Sequence, residues 1–196
     1  MRCNCLHIVL TIILMQVGTF AYAQETGGHL PQGATGHTFV HTLEEVPLPA
    51  AVVFLDEECP VSQKYSRILQ DLHSQYEGKI SFVAIFMPDL QGNTGATEYL
   101  GTYGFRGIIL NDSTFTACDH LGAKITPEAF LIDSDGEVRY QGAIDNWYYA
   151  LGKYRRVTTE YYLKDAMDQL LSGEEITISE TQPIGCYINQ KVRVEK

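Results

Sequence analysis

The sequence predicts an α/β fold: a central mixed β-sheet flanked by helices, with an inserted loop before the last helix and a C-terminal extension. Two patterns predict it. Short apolar runs of strand length alternate with stretches of 3.6-residue period, which implies parallel strands with helices crossing over the sheet. Late in the chain, two further apolar runs meet across Ser134-Asp135-Gly136, a hairpin signal that adds an antiparallel pair.

Ala51 to Asp56 reads as the first strand and Val61, Tyr65, Ile68, Leu69, Leu72 and Tyr76 as one face of the helix after it, stopping at Gly78. Cys59-Pro60 lies between them. Proline is tolerated at the first helical position, where its missing N–H would be unpaired anyway, so Pro60 makes Cys59 the N-cap. Free backbone N–H groups and the positive end of the helix dipole then face the cysteine sulfur and can hold it as a reactive thiolate. Ile80 to Phe86 is a second strand, followed by a polar, Gly-containing stretch with a short helix. Gly107 to Leu110 is a third strand, leading to a helix over Ser113 to Leu121 capped by Asp112 or Ser113. Ala129 to Asp133 and Glu137 to Gly142 form the hairpin. The last helix carries Leu163, Ala166, Met167, Leu170 and Leu171 on one face and ends at Gly173.

The ends of the sequence read differently. Arg2, the short apolar core Ile8 to Met15 and the small-x-small run Ala21-Tyr22-Ala23 match a cleavable Sec-type signal peptide over 1–23, so an exported protein, periplasmic or extracellular, is expected. That core is too short for stable membrane insertion, which takes about 20 apolar residues. Residues 24–48 are rich in glycine and proline and read as a flexible arm. Its histidines His29, His37 and His41 lack a carboxylate or cysteine to complete a metal site, and solvated histidines are the plainer reading. The formal net charge of −10 argues against nucleic acid as a partner. Cleavage leaves three cysteines, Cys59, Cys118 and Cys186, outside the cytosol, so at least one stays free or pairs with another molecule.

The combination of Cys59-Pro60 after a strand, the run Gly122-Ala123-x-x-Thr126-Pro127-Glu128-Ala129-Phe130-Leu131-Ile132-Asp133, then Asp135-Gly136 and Tyr140-x-Gly142-x-Ile144-Asp145, resembles the redoxin or peroxiredoxin-like branch of the thioredoxin superfamily. This is the alkyl hydroperoxide reductase and thiol-specific antioxidant type. Leu163-x-x-Ala166, Leu170-Leu171-x-Gly173 and Thr181-x-x-x-Gly185-Cys186-x-Ile188 look like a bacterial subgroup ending in a similar Gly-Cys motif, and the resemblance spans residues 50 to 188. It implies a thioredoxin-like fold over 49–175, an extension over 176–196 packing back on it, and a cis Pro127 against Cys59. Two departures stand out. Active peroxiredoxins carry a proline and a threonine or serine upstream of the peroxidatic cysteine, where this chain has Val52 and Asp56. Thioredoxins carry a second cysteine three residues on, where this chain has Ser62, so a Cys-x-x-Cys cycle is excluded.

Asp56, Glu57 and Glu58 oppose a thiolate at Cys59 by about as much as a helix terminus favours it, which leaves the sign of its pKa shift open. Cys118 lies on the apolar side of its helix and reads as core. Cys186 is the candidate resolving cysteine. Thirteen residues separate it from Gly173, a reach of about 43 Å that suffices to return to the active end of the sheet. Alternating Ile176-Thr177-Ile178 suits an edge strand on the way, while a structural or free tail cysteine is the alternative. The segment after Gly142 falls beside Cys59 and holds Asp145, Trp147, Tyr148, Tyr149, Lys153, Tyr154, Arg155 and Arg156: either a substrate groove or aromatics packing the loop onto the sheet.

The resulting expectation is a thiol-disulfide oxidoreductase without organic cofactor or metal. Cys59 is the attacking thiol, Cys186 the resolver, Thr126 and Pro127 shape the site, and Pro60, Asp145, Trp147 and Arg155 contact substrate. Its partners would be a thiol or disulfide protein substrate, or a hydroperoxide, with an external thiol reductant. The rival readings are a thiol peroxidase and a soft-metal site for copper.

Overall fold

The computed structural model describes residues 37–88 and 94–188. The expected signal peptide over 1–23, His29 and most of the arm lie outside the described residues. Ten strands and four α-helices follow in chain order among the described residues: β1 Thr38–Val40, β2 Ala50–Leu55, α1 Pro60–Tyr76, β3 Ser81–Phe86, α2 Ala96–Tyr103, β4 Ile108–Asn111, α3 Thr116–Leu121, β5 Ile125–Thr126, β6 Glu128–Ile132, β7 Val138–Gly142, β8 Tyr148–Ala150, β9 Lys153–Tyr154, α4 Tyr162–Ser172 and β10 Cys186–Tyr187.

Six strands make the central sheet in the order β1-β4-β3-β2-β6-β7. The first four are mutually parallel, β6 runs antiparallel to β2, and β7 runs antiparallel to β6. β2 is buried along its whole length, because both faces of the sheet are covered at that position. One face packs the apolar stripe of α1 (Tyr65, Leu69, Leu72, Tyr76) with Tyr99 of α2 and Leu163 and Met167 of α4 into a single core. Val52, Phe54, Val83, Ile85, Leu110 and Phe130 are buried on the other face. A βαβ unit, β2-α1-β3, joined to an antiparallel ββα unit, β6-β7-α4, with a cis Thr126–Pro127 bond opening the second unit, is a thioredoxin-like fold.

Several expectations need correction. The ordered chain begins before Pro49: Thr38–Val40 pairs parallel with Ile108–Leu110 as an edge strand, and Val46 is buried, so the flexible arm does not extend to residue 48. Three residues between His37 and His41 are too short a run to show a strand's period. The helix expected from Ser113 starts at Thr116, after Phe115 at φ 60°; Asp112 nonetheless accepts the N–H of Cys118 at 2.8 Å, as a cap would. Leu171, assigned to the apolar face of the last helix, is exposed. Ile176-Thr177-Ile178 forms no strand. The tail meets the sheet slightly later, where Gln141 N–H donates to Ser179 O at 2.9 Å and Thr181 N–H to Gln141 O at 3.0 Å, a single parallel bridge on the edge of β7.

Candidate active site: two thiols beside a cis-proline

The site lies at the C-terminal end of β2. Leu55 ends the strand, Asp56 to Glu58 make the turn, and Cys59 takes extended backbone angles as the N-cap of α1 with Pro60 at its first position. The Asp56 carboxylate accepts the N–H of Glu58 at 2.9 Å, an Asx-type turn that closes the loop. The Gln63 amide donates to Glu57 O at 2.6 Å and ties the loop to the helix. Ser62 is fully buried behind the cysteine, and its Oγ accepts the Asp56 N–H at 3.4 Å.

Cys59 is 1% exposed. Its thiol donates to the carbonyl oxygen of Thr126 at 3.0 Å, across the cis Thr126–Pro127 bond. Burial pushes the Cys59 pKa up, and hydrogen bonds from the Cys186 thiol, from the N–H and Oγ of Ser62 and from the N–H of Val61 together outweigh it, so the net shift is downward. The carboxylate of Asp56 acts instead on the partner thiol: Cys186 is raised to about 12 by burial, by its hydrogen bond to Cys59, by the Cys59 charge and by Asp56.

The tail delivers Cys186 by strand pairing. β10 runs antiparallel to β5, with Cys186 opposite Thr126 and Tyr187 opposite Ile125. Thr126 Oγ1 donates to Cys186 O at 3.4 Å, and Ile188 N–H to Lys124 O at 2.9 Å. Close approach requires glycine at 185: a Cβ there would stand 2.0 Å from Thr126 O. The 124–128 turn is held from within, because the buried Glu128 carboxylate accepts the N–H groups of Lys124 at 2.7 Å and Ile125 at 3.1 Å.

No protein-family model matches this chain, and no curated protein matches it. Among solved structures, a hypothetical protein of Sinorhizobium meliloti 1021 is 26% identical, with a TM-score of 0.63 over 72% of this chain and 79% of its own. An uncharacterized conserved protein of Geobacillus kaustophilus is 24% identical, with a TM-score of 0.59 over 76% of this chain and 82% of its own. Both share this chain's fold. A putative thiol:disulfide interchange protein DsbE of Chlorobium tepidum is 18% identical, with a TM-score of 0.46 over 66% of this chain and 82% of its own.

The site residues expected from the sequence separate into groups. Cys59, Cys186, Thr126 and Pro127 are brought together. Pro60 is exposed at the rim. Asp145 is buried beside them: Tyr65 Oη donates to its Oδ1 at 2.5 Å and Trp147 N–H at 2.8 Å, and burial raises its pKa against both hydrogen bonds. With Tyr65, Pro127, Ala143, Ile144, Tyr148 and Ile184 it lines a small cleft behind the cis-proline. Trp147 stacks edge-on against Tyr65 at 5.5 Å, one layer further out. Arg155 is exposed and engages its own hairpin, donating to Asn146 O at 2.5 Å and lying over the Tyr149 ring at 5.3 Å. Cys118 is 1% exposed, and its thiol donates to Ala123 O at 3.4 Å within α3 and the turn after it.

Two contributors were missed in the sequence. Tyr99, fully buried, donates from its hydroxyl to Ser62 O at 3.1 Å and so fixes the first turn of α1 from the far side of the core. Glu128 closes the cis-proline turn. A carboxylate directly after Thr-Pro at the head of a buried strand was the available signal for Glu128, since a buried charge needs donors. Nothing local marks Tyr99. Among the described residues no three His, Cys, Asp or Glu side chains gather as a metal site, and no helix is long and apolar enough to cross a membrane.

Proposed function

We propose that the protein is an exported thiol-disulfide oxidoreductase of the peroxiredoxin-like redoxin kind, with Cys59 as attacking thiolate and Cys186 as resolving thiol. The observation that carries this reading is the register that sets Cys186 opposite Thr126, whose carbonyl oxygen accepts the Cys59 thiol at 3.0 Å, with Cys59 at the N-cap of α1. The Cys59 thiolate attacks one sulfur of a substrate disulfide; that S–S bond breaks, a mixed disulfide forms, and the departing thiolate takes a proton from water. Cys59 has then lost its charge and no longer accepts the Cys186 proton, so two of the causes that raise Cys186 disappear at the moment it must ionise. Its thiolate displaces the second substrate thiol and leaves a Cys59–Cys186 disulfide, two electrons having passed to substrate. An external dithiol returns the pair to the reduced state.

The 1% exposure of Cys59 favours a second reading, thiol peroxidase, since a small hydroperoxide reaches so buried a sulfur with less displacement of the tail than a polypeptide disulfide needs. Attack on the peroxide O–O bond gives a sulfenic acid and an alcohol or water, and condensation with Cys186 gives the same internal disulfide plus water. Two adjacent sulfurs also suit copper(I).

Mass spectrometry of the mature protein after mild oxidation, without prior reduction, tests the shared core. The expected product is a Cys59–Cys186 disulfide that dithiols reverse, with Cys118 free. Three unreactive thiols would overturn the redox reading, and tight stoichiometric copper binding by the reduced protein would replace it. Peroxide consumption coupled to a dithiol separates peroxidase from disulfide exchange.

A further inference from the structure

The hairpin over residues 147–158 carries features that the thiol chemistry does not use. β8 and β9 pair antiparallel, Tyr148 opposite Tyr154. Tyr149, Leu151, Tyr154 and Val157 are 53, 61, 59 and 69% exposed, a concentration of large apolar side chains that an isolated surface hairpin does not need. The aromatic rings are continuous with the site. Tyr154 lies 5.8 Å from Tyr148 and 5.9 Å from Trp147, Tyr148 lies 6.0 Å from Tyr65, and Tyr148 and Tyr65 line the cleft against Pro127. Tyr148 also feels the charge of Cys59.

The charge of the hairpin runs against that of the chain. In a sequence of net charge −10, residues 147–158 hold Lys153, Arg155 and Arg156 and no carboxylate. Arg155 is engaged by Asn146, Tyr149 and the charge of Glu160. Lys153 and Arg156 are exposed and enter no ion pair among the described residues.

We infer that this hairpin is a docking surface for an acidic polypeptide, which lies along the ramp Tyr154–Tyr148 and presents its disulfide at the cis-proline. The inference rests on the disulfide-exchange reading above for its chemistry, and on charge complementarity and the unbroken aromatic path for the partner. Opposite charge steers encounter, and the exposed rings supply contact area of low conformational cost.

Trp147 is the chain's one tryptophan and sits at the base of the hairpin, so its emission reports docking without any chemistry. The reduced mature protein is titrated with two cysteine-free, tryptophan-free peptides that differ only in glutamate against lysine. The glutamate peptide is expected to shift Trp147 emission saturably, with Kd weakened about tenfold or more both by K153E/R156E and by raising salt from low to about 0.5 M. The lysine peptide is expected to give no saturable change. Equal responses to both peptides, or unchanged affinity in K153E/R156E, overturn the surface. The glutamate peptide is then supplied as its disulfide-linked dimer through an added cysteine. Docking without reduction of that disulfide overturns the exchange reading and leaves the surface standing; reduction at equal rates for acidic and basic dimers does the reverse.

Discussion

Ser62 occupies the place of the second cysteine in a Cys-x-x-Cys motif, and it serves the thiolate rather than the disulfide. Its N–H and hydroxyl lower the Cys59 pKa, while Cys186 arrives from the tail opposite Thr126. Hydrogen bonds to a charged acceptor are worth about 1.5–3 kcal/mol, so Ser62→Ala and Cys186→Ala should each raise the pH at which Cys59 ionises by about one to two pH units. Ultraviolet thiolate absorbance across a pH titration measures it; a midpoint unchanged in both variants would contradict the arrangement. Asp145 offers a second test. Its folded pKa lies above the unfolded value of 3.8, so its ionised form is disfavoured by folding. The stability it confers is full below the unfolded pKa and is lost as pH rises through the folded one. Asp145→Asn keeps an oxygen for Tyr65 and the Trp147 N–H but cannot ionise. The variant should therefore gain thermal stability relative to the parent between strongly acid and neutral pH, as differential melting would record.

The tail is held to the domain by two narrow clamps. At one, a Cβ on Gly142 would come within 2.2 Å of Thr181 O, and φ of 135° there suits glycine; at the other, Gly185 lies against Thr126 O. Gly185→Ala should lift β10 off β5 and part the two sulfurs while the sheet stays folded. The cost is about 1–3 kcal/mol, typical of overpacking, and alkylation of Cys59 by a bulky maleimide should become faster than in the parent. Unaltered alkylation would mean that the tail does not cover the thiol. These contacts were not legible in the sequence, although the regular elements were. α1, the β6–β7 hairpin and α4 were legible because 3.6- and 2-residue periods run through them for several turns or pairs. The β10–β5 pairing is two residues long, and no period can mark it. The alternation Ile176-Thr177-Ile178 had the right pattern and no partner strand in register, which is decided by the edge of β7 and not by the segment itself.

Across the whole molecule, the fold follows from strands and helices in alternation and the site from a junction between them. The placement of Cys59 was therefore readable from its neighbours Leu55 and Pro60, whereas its chemical state was not. That state depends on Thr126, Cys186 and Tyr99, which reach it from distant parts of the sequence, and on where the charge of Asp56 falls. The distance in sequence between the two thiols has a thermodynamic side. A Cys59–Cys186 bond would close a ring containing every element from α1 to α4, and rings of that size restrict the unfolded chain by about 4–5 kcal/mol. Oxidised protein should accordingly unfold at higher denaturant concentration than reduced protein; equal midpoints would argue against the bond. Linkage makes the same free energy act on the sulfur chemistry, at about 30 mV for each 1.4 kcal/mol. In the proposed chemistry, folding would pull the pair toward the disulfide while the groups that lower the Cys59 pKa would pull it back, a contest between chain entropy and local electrostatics.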